Sequence, residues 1–296
     1  MNKSIAIYTT MPLTNESICV HGITMFMFPL IKKLKKDGYK IYYLGNVIEN
    51  KEKNIFCELM ELKPYILDVT DDVEVTEDYT VLKDCDALLV YNRPQSVPLE
   101  YTGQNAYIRQ ALNYNKKVLF WMGDMWLLPE DIQKETILLR PFSSDKFDNL
   151  FKKAYHFEYF THKLYDYEFE KRDKIIDYVY IGNFYNRFDI LKKKFENLSG
   201  NIVVAGSWLR DEARWDKSLQ LKNVLYIRET PHSMSLPLLA ISKQTFYVIP
   251  EYYQDVGMKT SRIYEAKMAG CDIDVDIQHL NTLDKAYNQL IGIIYE

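Results

Sequence analysis

Arg262 and Glu265 stand three residues apart in the run MKTSRIYEAKMAGC, residues 258–271. On a helix, such positions lie on nearly the same face, one turn apart. A helix N-terminus carries unpaired backbone N–H groups and a partial positive charge, which favour a diphosphate. Lys259, Thr260 and Ser261 add donors at that end, and Arg262 suits two-point contact with a phosphate. A carboxylate at Glu265 could accept from both hydroxyls of a ribose. The two side chains would then hold opposite ends of a nucleoside diphosphate. The plain alternative is an i,i+3 surface ion pair, worth roughly a few tenths of a kcal/mol.

Other candidates stand where apolar runs end. Gly182-Asn183-Phe184 follows DYVYI, and Gly206-Ser207 follows NIVVA. Glu229-Thr230-Pro231 follows NVLYIR, and PEYYQDVGMKTSR leads into the helix of Arg262. Small residues at several exits would let a nucleotide backbone approach, although an isolated glycine often only permits a turn. Asp124 closes the run KVLFWMGD, with Trp121, Met122 and Trp126 around it. On position alone Asp124 is an ordinary loop carboxylate, and Trp121 reads as core. Neither GxGxxG nor GxxxxGK[ST] occurs, so the common dinucleotide and P-loop signatures are missing.

Parallel strands alternating with helices would position these exits. SIAIYTT, YKIYYLG, DALLVYN (86–92) and KVLFWMGD (117–124) read as strands, several of them apolar throughout. Such runs fit a parallel sheet covered on both faces. GITMFMFPLIKKLKKDG places Ile23, Phe26, Met27, Leu30, Ile31 and Leu34 on one helical side. Lys32, Lys33, Lys35 and Lys36 fall mainly on the other, a solvated face; Pro29 implies a kink or a late start. HFEYFTH (156–162) reads as a last strand of this unit, and 163–176 as the crossing. A second alternating series follows, with strands in DYVYIGNF, NIVVAGS, NVLYIRE, QTFYVIPE and CDIDVDI. The final helix is NTLDKAYNQLIGIIYE. The expected organisation is two Rossmann-like domains, 1–170 and 171–296, with the last helix packing back on the first. Ligands in such sheets bind beyond the carboxyl ends of the strands.

Composition narrows the class. The chain has 296 residues, 47% hydrophobic and 26% charged, with a net charge of −4, which is globular rather than disordered. That charge does not announce a nucleic-acid binder, although a local basic face can sit within an acidic total. Cys19, Cys57, Cys85 and Cys271 form no CxxC pair, and no histidine cluster has metal-ligand spacing. Scattered buried thiols in a reducing cytoplasm are expected, with no protein-bound metal. The 24 tyrosines fit an A·T-rich coding bias better than an aromatic surface. The amino-terminal strand pattern is not a signal peptide, and no membrane span is expected.

The run GMKTSRIYEAKMAGCDIDVD resembles the donor-binding segment of GT-B glycosyltransferases, most of all the phage DNA β-glucosyltransferases. DYVYIGNFYNRFDILKKKF, NIVVAGS, TPHSMS and FYVIPEYYQDVGMKTSRIYEAKMAG follow in the same order with similar gaps. KVLFWMGDMWLLP is similar to the segment carrying that family's catalytic aspartate. The resemblance implies an α/β GT-B fold, two Rossmann-like domains with a cleft between them. It implies transfer of a sugar, glucose first, from a UDP-sugar to a hydroxyl acceptor, with a divalent metal compatible but not required.

On the resemblance, Asp124 is the base. The donor is met by Gly182, Asn183, Phe184, Arg187, Gly206, Ser207, Thr230, Glu251, Lys259, Ser261, Arg262 and Glu265. His21, Thr24, Arg93 and Trp126 fall on the acceptor side. The implied acceptor is a hydroxymethyl-pyrimidine in double-stranded phage DNA, flipped out of the stack. Arg93, Arg109, Lys116, Lys117 and Arg140 would converge beside Asp124 as a basic channel, and Tyr91 or Trp126 would line the vacated gap. The alternatives are a surface glycan or lipid-linked saccharide as acceptor, or a non-catalytic nucleotide-sugar sensor on the same fold. The expected protein is a cytoplasmic monomer or weak dimer. The chain departs from the family in two places: NFYNRFD carries only Arg187 where the family has two arginines, and CVHGITMF lacks the family's glutamate.

Overall fold

The computed structural model describes residues 3–9, 13–14, 24–45, 47–48, 55–63, 65, 67, 69–92, 102–123, 127–162, 173–184, 187–228, 232–276 and 279–296. The first sheet takes β1 (Ser4–Thr9), β3 (Lys40–Leu44), β5 (Glu74–Thr76), β6 (Ala87–Asn92), β7 (Lys117–Met122), β8 (Ile137–Arg140) and β9 (Lys153–His156). Their order is β5-β3-β1-β6-β7-β8-β9, parallel throughout. The second takes β10 (Ile176–Ile181), β11 (Ile202–Ala205), β12 (Val224–Ile227), β13 (Ser242–Thr245) and β14 (Asp272–Ile273). Their order is β12-β11-β10-β13-β14, again parallel. A small parallel pair, β2 (Leu13–Thr14) with β4 (Val47–Ile48), stands apart.

Alternation along the strands divides the core. Ile5, Ile7, Leu89, Tyr91, Leu119, Trp121 and Leu139 face one cluster, and Ala6, Leu88, Val90, Phe120, Met122 and Leu138 face another. Both sides are buried, which is why these strands read as continuous apolar runs. The first cluster continues into the second sheet through Ile176, Val179, Ile181, Val203 and Ala205. Trp121 is fully buried, as its run implies. Cys85 and Cys271 are buried free thiols, each pushed up to about 12 by burial.

Several element boundaries differ from the sequence reading. The helix Thr24–Lys36 runs through Pro29, which lies one turn inside it. Lys35 and Lys36 of its polar face are exposed, while Lys32 and Lys33 pair with Asp72 and Asp284. The strand expected at 156–162 ends at His156. Phe157 still donates its backbone N–H to Arg140, and the chain then leaves the sheet. Phe157, Tyr159 and Phe160 are apolar because they pack between elements, not because they pair. β5, β8 and β9 did not stand out in the sequence; each has only three or four residues.

The C-terminal helix Leu283–Tyr295 lies against the helix Thr24–Lys36 and the first sheet. Lys117 donates to the Ile293 carbonyl at 3.1 Å, Tyr295 to Asp86 at 2.9 Å, and Gln289 to the His156 carbonyl at 2.7 Å. No helix among the described residues is long and apolar enough to cross a membrane.

Candidate active site

Within each sheet the strands run outward in both directions from the first, so the order reverses between β1 and β6 and between β10 and β13. Ligands in such sheets sit at these switch points, beyond the carboxyl ends. The second switch point is described on both sides. Gly206 follows β11 at φ +139°, where side chains are strained. A Cβ there would lie 2.1 Å from the Gly182 carbonyl oxygen. Glycine therefore allows the exits of β10 and β11 to touch. Trp208 donates its indole N–H to the same carbonyl at 2.8 Å and is fully buried. Ser207 donates to the Asn183 side-chain oxygen at 3.3 Å.

An arginine stands beside this contact. Arg187, just before the helix Phe188–Phe195, donates to the Asn183 carbonyl at 3.2 Å. Burial pushes the Tyr180 phenol up, and the charges of Arg187 and Arg262 pull against that shift. Arg214 was missed. It donates to the Ser207 carbonyl at 3.1 Å, and its guanidinium stands 5.9 Å from the Phe184 ring centre. Phe184 in turn packs edge-on against Trp208 at 5.2 Å. The signal was an arginine on a helix one turn beyond GSWL.

The helix Ser261–Met268 begins beyond the carboxyl end of β13. Tyr247 sets its start: its hydroxyl donates to the Met258 carbonyl at 3.0 Å and accepts from the Thr260 backbone at 3.1 Å. Ser261 is half-buried at the first helical position, and Glu251 is exposed at the start of the short helix Glu251–Gln254. Arg262 and Glu265 are paired with one another at 2.6 Å. This is not the surface pair weighed in the sequence, because the Glu265 side chain is 0% exposed. A buried carboxylate and its arginine form a strongly coupled unit. A ligand that engages both residues must open that pair or share its charge.

Lys259 is also engaged. It lies 3.1 Å from Glu158, which the His156 ring meets at 3.1 Å and the Tyr264 hydroxyl at 3.4 Å. Hydrogen bonds from His156 first, then Lys259, pull the Glu158 carboxyl down to about 2.

Asp124, Trp126, His21, Arg93 and Thr230 lie outside the described residues, as does the Thr24 side chain. The basic channel expected in the first domain does not assemble from its described members. Lys116 and Lys117 stand at the amino end of β7, a strand length of roughly 20 Å from its exit. Arg140 is buried and bonded to Asp148 and the Phe142 carbonyl. Arg109 pairs with Asp131 at 2.9 Å. Strand direction takes Lys116 and Lys117 to the far edge, and ion pairs occupy Arg109 and Arg140. No group of three His, Cys, Asp or Glu side chains among the described residues is arranged to hold a metal ion.

No protein-family model matches the chain, and no curated protein matches it in sequence. Solved structures match it over nearly its full length. T4 phage β-glucosyltransferase in complex with its UDP-glucose substrate aligns with a TM-score of 0.56 at 14% identity, covering 99% of this chain and 90% of that one. The same phage enzyme with UDP and Mn2+ gives 0.52 at 17% identity, covering 99% and 90%. A glycosyltransferase involved in avilamycin A biosynthesis gives 0.53 at 12% identity, covering 98% and 88%. The chain has the GT-B fold, with two Rossmann-like parallel sheets. At these identities the likeness is one of fold.

Proposed function

We propose that the chain is a glycosyltransferase that uses a UDP-sugar, glucose first, and transfers the sugar to a hydroxyl acceptor. The observation that carries this reading is the carboxyl edge of the second sheet. There a glycine-only backbone contact brings the exits of β10 and β11 together, Arg187 bonds the Asn183 carbonyl beside it, and Arg262 opens the helix that follows β13. A helix N-terminus with arginines at the same edge suits a diphosphate. The fold likeness to UDP-glucose-binding transferases supports the same choice.

In this reading the second sheet, with the domain 171–296, holds the donor. Arg262, Arg187 and the N-terminus of Ser261–Met268 face the diphosphate, and Glu265 accepts from the ribose. Asp124 follows Gly123 at the exit of β7 and acts as the base. It takes the proton of the acceptor hydroxyl as that oxygen bonds to the anomeric carbon. The bond from that carbon to the diphosphate oxygen breaks, and UDP leaves with charge met by the arginines. A divalent ion would ride on the diphosphate.

For the acceptor, hydroxymethyl-pyrimidine in duplex DNA is the first choice, on the strength of the fold likeness to a DNA-modifying enzyme. The far-edge place of Lys117 and the ion pairs of Arg109 and Arg140 remove the charge argument for it, so Arg93 and the exits of β1 and β6 would have to carry DNA contact. The test is transfer from radiolabelled UDP-glucose to DNA containing hydroxymethylcytosine, hydroxymethyluracil or neither. Label on the modified DNAs alone supports the reading. Hydrolysis or glycan labelling with every DNA blank replaces the acceptor. Tight UDP binding with no turnover replaces the transferase by a sensor.

A further inference from the structure

Beyond β9, the residues Glu158 and Tyr159 touch both halves of the molecule. Glu158 holds Lys259 at 3.1 Å and accepts from the Tyr264 hydroxyl at 3.4 Å, both on or beside the helix of Arg262. Tyr159 is 4% exposed and packs its ring against Tyr264 at 6.2 Å, Phe26 at 4.8 Å and Trp121 at 6.0 Å. Its hydroxyl donates to the Gly123 carbonyl at 3.3 Å and lies 3.4 Å from the Tyr91 hydroxyl. Tyr91 presses on Gly123 from another side, because a Cβ on that glycine would lie 2.0 Å from its hydroxyl oxygen. The peptide that ends β7 is thus held between two phenols, one of which also packs against Tyr264.

We propose that Tyr159 is a positioning residue that couples the helix Ser261–Met268 to the exit of β7. Tyr264 lies between Arg262 and Glu265 on that helix. Any shift of the helix on donor binding moves Tyr264 against Tyr159, and close packing transmits the shift. Glu158 ties the same helix to the neighbouring backbone, so the contact is held at two adjacent residues. The bond to Gly123 is long for an O–H···O contact, whose usual length is about 2.8 Å. A ring movement of about half an ångström would shorten it and draw the peptide before Asp124 into place. The inference rests on the proposed donor helix and the proposed base.

The test uses the full chain with Tyr159→Phe, which keeps the ring and removes the hydroxyl. Hydrogen exchange of the peptide spanning residues 121–127 is followed with and without UDP. In the free variant it should exchange roughly threefold to tenfold faster than in the wild type, and the protection that UDP confers should be lost. UDP affinity by calorimetry should hold within about twofold, while kcat falls roughly fivefold to twentyfold at constant KM. In an Asp124→Asn background the same change should cost nothing further. Unchanged exchange in free Tyr159→Phe overturns the coupling. Failure of the wild type to bind UDP overturns the donor reading instead, and normal turnover in Asp124→Asn overturns the base. UDP protection kept at its wild-type size in Tyr159→Phe also overturns the coupling, and in the other two cases the free variant's exchange decides whether Tyr159 holds the Gly123 peptide.

Discussion

At the carboxyl edge of the second sheet, backbone meets backbone: Gly206 comes against the Gly182 carbonyl, and Trp208 seals the contact from behind. At the edge of the first sheet, Gly123 is met instead by the phenols of Tyr91 and Tyr159. The order of the five-stranded sheet recurs in the first five strands of the seven-stranded one, so topology alone does not make the edges different. Side-chain charge does. At the second sheet the rings of Tyr180 and Trp208 close on Gly182, while Arg187 and Arg214 hold the exit carbonyls of Asn183 and Ser207. At the first sheet two phenols meet the exit glycine. One edge sets cations on its exit carbonyls, and the other sets neutral hydroxyls on its own.

The largest effect should come from the first edge. Asp124→Asn should lower turnover by roughly 10²–10⁴ while donor affinity stays within about threefold, the usual size of a general-base loss. Steady-state kinetics beside UDP calorimetry checks it, and near-normal turnover in the folded variant would remove Asp124 from the mechanism.

The second edge should respond through stability as well as binding. Arg262→Ala leaves the Glu265 carboxylate buried without its cation and should cost about 3 kcal/mol in urea unfolding. Arg262→Ala with Glu265→Gln should recover most of that stability but not the UDP affinity. Equal UDP affinity in wild type and Arg262→Ala would show that the pair is purely structural. Glu265→Gln alone should weaken uridine by roughly 1–3 kcal/mol.

Gly206→Ala tests the backbone contact itself. It combines a positive φ with a clash against a carbonyl, and should destabilise by about 2–3 kcal/mol. Gly257→Ala has a positive φ but open space and should cost only about 1 kcal/mol. Equal losses at the two sites would mean that the approach to Gly182 relaxes freely.

The smallest effect lies between the edges. Glu158 sits at about 2 in the folded chain, below its ordinary 4.5, because His156 and Lys259 favour its charged form. Between those values the unfolded chain binds more protons, so the stabilisation is complete above pH 4.5 and fades as pH falls toward 2. Across that window the wild type should lose about 1–2 kcal/mol more than Glu158→Gln, allowing for partial solvent screening. Parallel curves for the two proteins would show that the network carries no net energy.

Local pattern made much of the molecule legible. The apolar runs at β1, β6, β7 and β10 announced parallel strands because both faces of each are covered. The helix at 261–268 was visible from its polar start and its small-residue end. The run at 157–160 misled because aromatic residues buried between elements look like residues buried in a strand. The basic channel misled because nearness in sequence ignores that a strand carries its two ends to opposite edges of the sheet.

The sequence by itself determined that the chain is α/β, that its strands exit into small or acidic residues, and that one helix begins with Arg262 and Glu265. These follow from periodicity and residue type, which act over a few residues. Only the tertiary structure decided that the exits of β10 and β11 meet through Gly206, that Glu265 is buried against its own arginine, and that Glu158 and Tyr159 touch both halves. Those facts depend on strand order and on crossings of many residues. Burial, which sets the strength of each charge, exists only once the two sheets have packed.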